Sequence, residues 1–301
     1  MKDFALIGVA GFIAPRHLQA IRDTGNNLVA ALDRFDSVGV MDSYFPKADF
    51  FTEFERFDRH LDKLRRKGRK IDYVSICSPN YLHDSHIRFA LRHQADAICE
   101  KPLVLNPWNL DALAELERET GRRVFTILQL RLHPAIQNLR DEIARAPKDK
   151  YFHVSLDYIT SRGNWYHRSW KGDESKSGGI ATNIGIHFFD MLQWVFGKAT
   201  RTPEAKIEAD QASGTLYLER AEVQWRLSIN ADHLPPAVAR SGKRTYRSLQ
   251  IEGKEIEFSE GFTDLHTACY KQILEGKGFG IDDARASIET VYSFRRKATA
   301  G

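Results

Sequence analysis

The stretch Phe4–His17 (FALIGVAGFIAPRH) decides the fold. An apolar run, Phe4–Ile7, leads into a glycine-containing turn, and a helix is predicted over Arg16–Thr24. Small residues in such a turn let the backbone approach a pyrophosphate, and the helix N-terminus attracts its negative charge. Glycines at 8 and 11 with alanines at 10 and 14 depart from the spacing G-x-G-x-x-G. The stretch therefore predicts a dinucleotide-binding turn, with an ordinary tight turn as the alternative.

Asp33 strengthens the dinucleotide interpretation. It ends the next apolar run, Leu28–Leu32, and stands 25 residues after Gly8. A carboxylate at this point accepts both hydroxyls of an adenosine ribose and repels a 2′-phosphate. The position favours NAD over NADP, although the neighbouring Arg34 leaves NADP open. A helix or turn cap is the structural alternative for this aspartate.

Short apolar runs alternate with helical stretches through residues 1–125. Further strands are predicted at Tyr73–Cys77, Ala97–Cys99 and Val124–Ile127, and a helix opens at Pro107. Strands that are apolar on both faces and alternate with helices form a parallel sheet covered on both sides. We predict an α/β fold with an N-terminal doubly wound Rossmann domain over residues 1–125.

Residues 126–301 show a different pattern. Alternating stretches occur at Tyr151–Tyr158, Ser213–Leu218, Ala221–Ile229 and Tyr246–Phe258. Helices are predicted at 135–146, 262–274 and 282–297. Alternation of polar and apolar residues is typical of antiparallel strands with one wet face. We predict a C-terminal α+β domain with a large, mostly antiparallel sheet.

Composition excludes several classes of protein. The chain has 301 residues, 42% hydrophobic and 28% charged, which is a globular composition. A net charge of +4 is too small to indicate nucleic-acid binding. The longest apolar run is shorter than the ~20 residues of a membrane span. Three cysteines far apart form neither a disulfide framework nor a CxxC metal motif, so we expect no metal and a cytoplasmic protein with reduced thiols.

Two motifs follow predicted strands of the first domain, at the edge where ligands bind in such sheets. Ser78-Pro79-Asn80 with His83 follows one strand, and Glu100-Lys101-Pro102 follows the next. Burial can lower the pKa of a lysine, which could then stabilise or protonate a substrate oxygen. An ordinary turn with a helix N-cap and a surface salt bridge are the respective alternatives.

The second domain carries the motif Gly178–Asp190 (GGIATNIGIHFFD). Asn183 and His187 are four residues apart and share one helix face. Asp190, three residues further, is close enough in sequence to orient the imidazole. A helical histidine satisfied within the core is the alternative.

In this order and spacing, the motifs resemble the glucose–fructose oxidoreductase / inositol dehydrogenase / MocA (Gfo/Idh/MocA) family over nearly the whole chain. Four further stretches resemble its WlbA/WbpB branch of UDP-N-acetylglucosaminuronate 3-dehydrogenases: 158–166 (YITSRGNWY), 169–172 (SWKG), 261–266 (GFTDLH) and 280–285 (GIDDAR). The resemblance implies NAD-dependent oxidation of the C3 hydroxyl of UDP-N-acetylglucosaminuronic acid (UDP-GlcNAcA). It further implies a homotetramer that serves synthesis of diacetamido-uronic acid for the O-antigen of lipopolysaccharide. Nucleic-acid and membrane partners are not expected.

The resemblance also assigns roles to residues. His187 is the expected general base, Lys101 stabilises the alkoxide-like oxygen, and Asn183 orients the sugar, because an amide cannot act as a base where many relatives have Asp. The expected cofactor-binding residues are Gly8, Ala10, Gly11, Phe12, Ile13, Asp33, Ser78, Pro79, Asn80, His83, Glu100, Lys101 and Gln129. The expected substrate-binding residues are Lys101, Arg131, Arg162, Asn164, Trp165, Tyr166, Lys171, Asn183 and His187.

Other functions stay open at this level. Arg240, Lys243 and Arg247 could bind a diphosphate, or form a charged loop. The chain could be another NAD(P)-dependent sugar or cyclitol dehydrogenase of the same family. A non-catalytic NAD-binding regulator is a third possibility, which the presence of both Lys101 and His187 disfavours.

Overall fold

The computed structural model describes residues 1–256, 258 and 264–298. The chain packs into two compact units. Unit 1 is Met1–Gln129 with Thr263–Ala284, and unit 2 is Leu130–Phe262 with Arg285–Gly301. The sequence-based division at residue 125 assigns everything after it to the second domain, whereas 263–284 packs with the first.

Unit 1 contains a six-stranded sheet in the order β3-β2-β1-β4-β5-β6. Its strands are β1 (Asp3–Ile7), β2 (Asn27–Leu32), β3 (Asp49–Phe51), β4 (Tyr73–Ile76), β5 (Asp96–Cys99) and β6 (Val124–Thr126). All neighbouring strands in it are parallel. The order reverses direction at β1, which is the Rossmann topology, and ligands bind at the carboxyl ends of strands beside such a reversal. The predicted doubly wound sheet is confirmed.

The helices of the described residues are α1 (Ala14–Asp23), α2 (Phe54–Arg66), α3 (His83–Arg92), α4 (Pro107–Thr120), α5 (Pro134–Arg145), α6 (Trp165–Arg168), α7 (Glu174–Ser177), α8 (Ile186–Phe196), α9 (Pro236–Arg240), α10 (Leu265–Leu274) and α11 (Ile281–Ala298). Helix α10 packs against α1 in unit 1. It buries Tyr270 and Ile273, while α1 buries Leu18 and Ile21. This packing attaches the late segment to the first unit.

Unit 2 contains a second six-stranded sheet, in the order β12-β11-β7-β10-β9-β8. Its strands are β7 (Phe152–Thr160), β8 (Glu204–Ile207), β9 (Gln211–Tyr217), β10 (Ala221–Ser228), β11 (Thr245–Ile251) and β12 (Lys254–Glu255). Strands β7 and β10 are parallel and the other pairs are antiparallel. On β7, Val154 and Leu156 are buried while His153 and Ser155 are exposed, so one face is wet. The predicted mostly antiparallel sheet is confirmed.

Some elements differ from their predictions. The short strands β3 and β8 are not in the sequence-based assignment, because three or four residues carry too little periodicity. The stretch Tyr246–Phe258 is two strands, since Glu252 and Gly253 turn the chain with positive φ of 50° and 75°. Residue 257 and residues 262–263 of the predicted elements lie outside the described residues.

Across the part of the chain that the structure describes, no helix has both the length and the apolar character needed to cross a membrane. Cys77, Cys99 and Cys269 are buried free thiols. Burial raises the pKa of each of these thiols.

Candidate functional site

The glycine turn after β1 fits a bound dinucleotide. Gly8 has φ of +90°, and a Cβ there would lie 2.6 Å from the carbonyl carbon of Cys77. Only glycine therefore allows the turn to lie against the end of β4. No described side chain caps the start of α1, and the N–H groups of Ala14 and Arg16 in its first turn donate to backbone carbonyls of the turn. Phe12 is 94% exposed and projects from this turn.

Asp33 joins the turn to the end of β2. Its Oδ2 accepts a hydrogen bond from the Ala10 N–H (3.0 Å) and its Oδ1 from the Phe35 N–H (3.0 Å). A carboxylate has about four acceptor sites, so capacity for two ribose hydroxyls remains. The capping role and the ribose-binding role are compatible at this residue.

His83 connects the two motifs that follow β4 and β5. Its Nδ1 lies 2.7 Å from the Pro102 carbonyl oxygen and its Nε2 lies 2.8 Å from that of Ser78. The side chain is buried, and burial lowers its pKa against the effect of these two carbonyls. His83 therefore holds the two loops together rather than projecting toward a ligand. Asn80, in the turn before α3, is buried as well.

Glu100 is also directed inward. Its Oε1 lies 2.9 Å from Nε2 of both His17 and His266, and its Oε2 accepts the Lys101 N–H (3.2 Å). The carboxylate is thus engaged by protein groups, while the next residue, Lys101, is partly exposed. Gln129 at the end of unit 1 has a buried Oε1 that accepts no hydrogen bond from the described residues, which fits a ligand donor.

In unit 2, one π-helical turn, Ala181–Gly185, precedes α8. Such turns are frequent at functional sites. Asn183 lies in this turn and donates from Nδ2 to the Tyr166 hydroxyl at 2.8 Å. Tyr166 is 2% exposed, and burial raises its pKa, so it remains a neutral phenol. The structure therefore brings these two expected substrate residues together.

His187 lies on the first turn of α8. Its ring is 6.1 Å from the Tyr158 ring and 4.1 Å from the Phe188 ring, centroid to centroid. Asp190 accepts from Arg131 through both oxygens, at 2.9 Å from Nε and 2.7 Å from Nη2. The carboxylate that the sequence offered as an orienting group for His187 is thus bound to Arg131. The Arg131 guanidinium, which was expected to bind substrate, takes part in this ion pair through Nε and Nη2.

The remaining expected substrate residues lie on a short exposed segment. Trp165 is 53% exposed, and the Lys171 ammonium lies 5.4 Å from its ring centroid. Arg162 begins the segment, its N–H bonded to the Ile229 carbonyl (2.8 Å), and Asn164 precedes α6. Arg240, Lys243 and Arg247 were the candidate cations for a diphosphate. Arg240 and Lys243 are exposed, whereas the Arg247 guanidinium lies 5.5 Å from the centroid of the Tyr158 ring.

Sequence reasoning missed His17, His266 and Tyr270. His17 Nδ1 lies 2.7 Å from the Tyr270 hydroxyl, and that hydroxyl lies 2.6 Å from Ser75 Oγ. The sequence signal was weak, because His17 and His266 are far apart in the chain and only α10 brings them together. His266 appeared solely as part of the resembling stretch 261–266.

Comparison with known proteins defines the class. The profile of the oxidoreductase family, NAD-binding Rossmann fold (GFO_IDH_MocA) matches residues 2–128. The profile of that family's C-terminal alpha/beta domain matches residues 150–231. The chain therefore belongs to the Gfo/Idh/MocA family of oxidoreductases, and its first domain is the family's NAD-binding Rossmann domain.

Within that family, the chain is similar to the WlbA (WbpB) dehydrogenase of Thermus thermophilus. The crystal structure with NAD and alpha-ketoglutarate is 52% identical, with a TM-score of 0.94, over 98% of this chain and 95% of that one. The structure with NAD and UDP-GlcNAcA is 51% identical, with a TM-score of 0.93 over the same shares. WlbA from Bordetella pertussis, at 19% identity and a TM-score of 0.78, shares the fold.

Curated relatives are more distant. The D-glucoside 3-dehydrogenase of Escherichia coli is 27% identical over 128 residues, which are 42% of this chain and 36% of that protein. The chain matches only 36% to 49% of the length of the first curated relatives.

Proposed function

We propose that this protein oxidises the C3 hydroxyl of UDP-GlcNAcA to a ketone with NAD as hydride acceptor. The observation that carries the proposal is the match at 51% identity, over nearly both chains, to a dehydrogenase crystallised with NAD and UDP-GlcNAcA. The name of the E. coli D-glucoside 3-dehydrogenase supports the C3 position. NAD, when bound, supplies the hydride acceptor of the reaction.

Three residues of the chain carry the proposed chemistry. Neutral imidazole is available near pH 7, so His187 removes the hydroxyl proton as general base. The Lys101 ammonium donates a hydrogen bond to the same oxygen as negative charge develops on it. Asn183 holds the sugar while the Tyr166 hydroxyl fixes the amide. Gly8, Asp33 and the turn between β1 and α1 are proposed to hold the dinucleotide.

The exposed segment Arg162–Lys176 is proposed to recognise the nucleotide sugar. Arg162 and Lys171 supply positive charge for the carboxylate or the diphosphate, and arginine can grip either in a bidentate manner. The exposed face of Trp165 suits a sugar or uracil ring, while the buried Tyr166 acts through its hydroxyl on Asn183. Arg131 lies outside this segment and is paired with Asp190. Its proposed contribution is to the structure around α8, the helix that carries His187.

The test is anaerobic incubation of the protein with NAD and UDP-GlcNAcA, followed by mass spectrometry of the nucleotide product. We expect loss of two hydrogens and appearance of NADH absorbance. UDP-N-acetylglucosamine, which has an alcohol in place of the carboxylate, is the matched control and should react poorly. Turnover of free inositol or glucose without turnover of the UDP-uronate would replace the proposal with a sugar or cyclitol dehydrogenase. Absence of any NADH would favour a regulator.

The return of NADH to NAD is a second question for the same assay. The Thermus thermophilus structure contains alpha-ketoglutarate beside NAD. We propose that 2-oxoglutarate accepts the hydride and a proton in this protein too, and becomes 2-hydroxyglutarate. Adding it to the assay should allow many turnovers per enzyme-bound NAD.

The cellular setting follows from the proposed reaction. We propose a cytoplasmic homotetramer that supplies diacetamido-uronic acid synthesis for lipopolysaccharide O-antigen. The three buried free thiols are consistent with a reducing compartment. Light scattering measures the assembly, and loss of O-antigen on deletion of the coding sequence tests the pathway.

A further inference from the structure

A chain of hydrogen bonds runs through the interior of unit 1 beneath the Lys101 loop. We call Ser75, Tyr270, His17, Glu100 and His266 the Glu100 network. It links β4, α1, α10 and the end of β5. Each of these side chains is buried. Such networks specify one arrangement of the surrounding backbone when every member is satisfied.

The donors and acceptors of the Glu100 network are mutually consistent. Oε1 of Glu100 accepts from both imidazoles, so His17 and His266 each carry a proton on Nε2, an assignment made from the network. Nδ1 of His17 then accepts from the Tyr270 hydroxyl. Burial opposes ionisation of Glu100, but the hydrogen bonds from His17 and His266 hold its pKa well below the ordinary value. Burial lowers the pKa of His17, which remains neutral.

The distances favour hydrogen bonds over a metal ion. His17, Glu100 and His266 are the residue types that bind metals, and their ligand atoms lie within 4.8 Å of one another. Each nitrogen–oxygen separation is 2.9 Å. Two ligands on a tetrahedral zinc ion, with bonds of about 2.0–2.1 Å, lie about 3.4 Å apart. The observed separations are those of N–H···O hydrogen bonds.

The Glu100 network reaches the backbone of Lys101. Oε2 of Glu100 accepts the Lys101 N–H at 3.2 Å. On the other side of the lysine, the Pro102 carbonyl lies 2.7 Å from Nδ1 of His83. At the other end of the network lies Ser75, which is fully buried.

We infer that His17, Glu100 and His266 are positioning residues, which hold the Lys101 backbone so that its ammonium meets the reacting oxygen. This inference rests on the proposed role of Lys101. It gives α10 a part in the reaction, because His266 and Tyr270 both come from that helix. A misplacement of about 1 Å can reduce a rate by ~10²-fold, so small displacements at Lys101 are sufficient.

The test compares two variants of His266. Gln places an N–H near the Nε2 position of histidine and keeps the bond to Glu100, whereas Asn places it near Nδ1 and loses the bond. We expect His266→Asn to lower kcat about 10- to 100-fold, with the Kd of NAD within about twofold. His266→Gln should restore most of kcat. His93→Asn, which removes a similar bond to Asp58 (2.6 Å) elsewhere in the unit, is the control and should leave kcat unchanged.

A second measurement reads the position of Lys101 without a sugar. In the NAD complex, hydrogen exchange of peptides containing the Lys101 amide should be faster in His266→Asn than in wild type. Peptides of unit 2 should exchange at the wild-type rate. Equal exchange at Lys101, or equal kcat in the Asn and wild-type proteins, would overturn the inference. So would equal losses of kcat in the Asn and Gln variants.

If His266→Asn does not fold, Tyr270→Phe takes its place. This change removes the hydroxyl that His17 contacts and retains the ring that stacks on Phe4 at 6.0 Å. The hydroxyl also contacts Ser75; the bond to His17 alone is worth about 1 kcal/mol, which converts to about a fivefold loss of kcat. An unchanged kcat overturns the inference. Failure of wild type to turn over UDP-GlcNAcA, with the exchange result intact, rejects the proposed substrate alone.

Discussion

The loop Glu100–Pro102 in unit 1 and the segment Arg162–Lys176 in unit 2 are held in opposite ways. Buried groups from α1, α3 and α10 hydrogen-bond the loop at Glu100 and Pro102. The segment instead consists of two short helices with exposed Trp165 and a cation–π contact from Lys171.

Under the proposed function, this difference separates a loop that takes part in the chemistry from a segment that recognises the substrate. A group that stabilises charge must be fixed before the reaction, because reorganising it would cost free energy in the transition state. A segment that selects a substrate can change its exposed side chains with little effect on the core. We expect variation of substrate in relatives to map to the segment and not to the loop.

The largest expected effect is on kcat and concerns His187, the proposed general base in unit 2. His187→Ala should lower kcat by ~10²–10⁴, the usual loss for a general base. The proposed substrate is used at saturation, and single-turnover NADH absorbance is the readout. His153→Ala on the exposed face of β7 is the control. Wild-type turnover by His187→Ala with unchanged binding would remove His187 from the mechanism.

The next largest effect is on stability and concerns the Arg131–Asp190 ion pair, which is buried in unit 2 as the Glu100 network is buried in unit 1. Removing one partner of a buried ion pair costs about 3–5 kcal/mol, because the other charge stays buried. Asp190→Asn should therefore lower the free energy of unfolding by that amount in urea titrations. Replacing both residues by Met should recover much of it. A loss below about 1 kcal/mol would contradict the cost expected for leaving the Arg131 charge buried.

A smaller effect on the free energy of unfolding is expected at acid pH. Burial, followed by the charge of His83, lowers the pKa of His86 from 6.5 to about 4. The folded state therefore prefers neutral His86; its full stability is present above pH 6.5 and is lost as the pH falls through the window toward 4. At about pH 5 the loss is about 2 kcal/mol.

His86→Asn isolates this acid effect. Asn keeps a polar group near Nδ1 for the Ser78 hydroxyl, which lies 2.8 Å away in the wild type, and cannot titrate. Stability measured between about pH 7.5 and 5 should therefore fall less in the variant, by about 2 kcal/mol. The same dependence of stability on pH in the variant and the wild type would show that protonation of His86 does not destabilise the fold.

The smallest effect tests the recognition side of the comparison. Trp165→Ala should raise KM for the nucleotide sugar about fivefold and leave kcat unchanged, since an aromatic contact is worth about 1 kcal/mol. Initial rates at varied sugar concentration separate the two constants. Tyr81→Ala, an exposed aromatic of unit 1, is the control. A fall in kcat without a change in KM would place Trp165 with the chemistry.

Local patterns predicted much of the fold. The run Phe4–Ile7 with Gly8 predicted β1 and its turn, because burial on both faces and a positive φ leave clear marks in sequence. The parallel pairing of β7 with β10 left no such mark, since it depends on which strands meet over a long separation. Two site residues also have partners that the sequence did not predict. Glu100 contacts His17 and His266, and Asp190 contacts Arg131. Residue type and spacing identify polar candidates, but only the packed core determines which groups they contact.

The central claim is that a hydride leaves C3 of UDP-GlcNAcA for NAD on this protein. Substrate deuterated at C3 tests it most directly, with mass spectrometry of the reduced cofactor. The account predicts NADH that carries one deuterium and a 3-keto product that has lost it. Unlabelled NADH formed from the deuterated sugar would contradict the account, because the hydride would then come from another carbon.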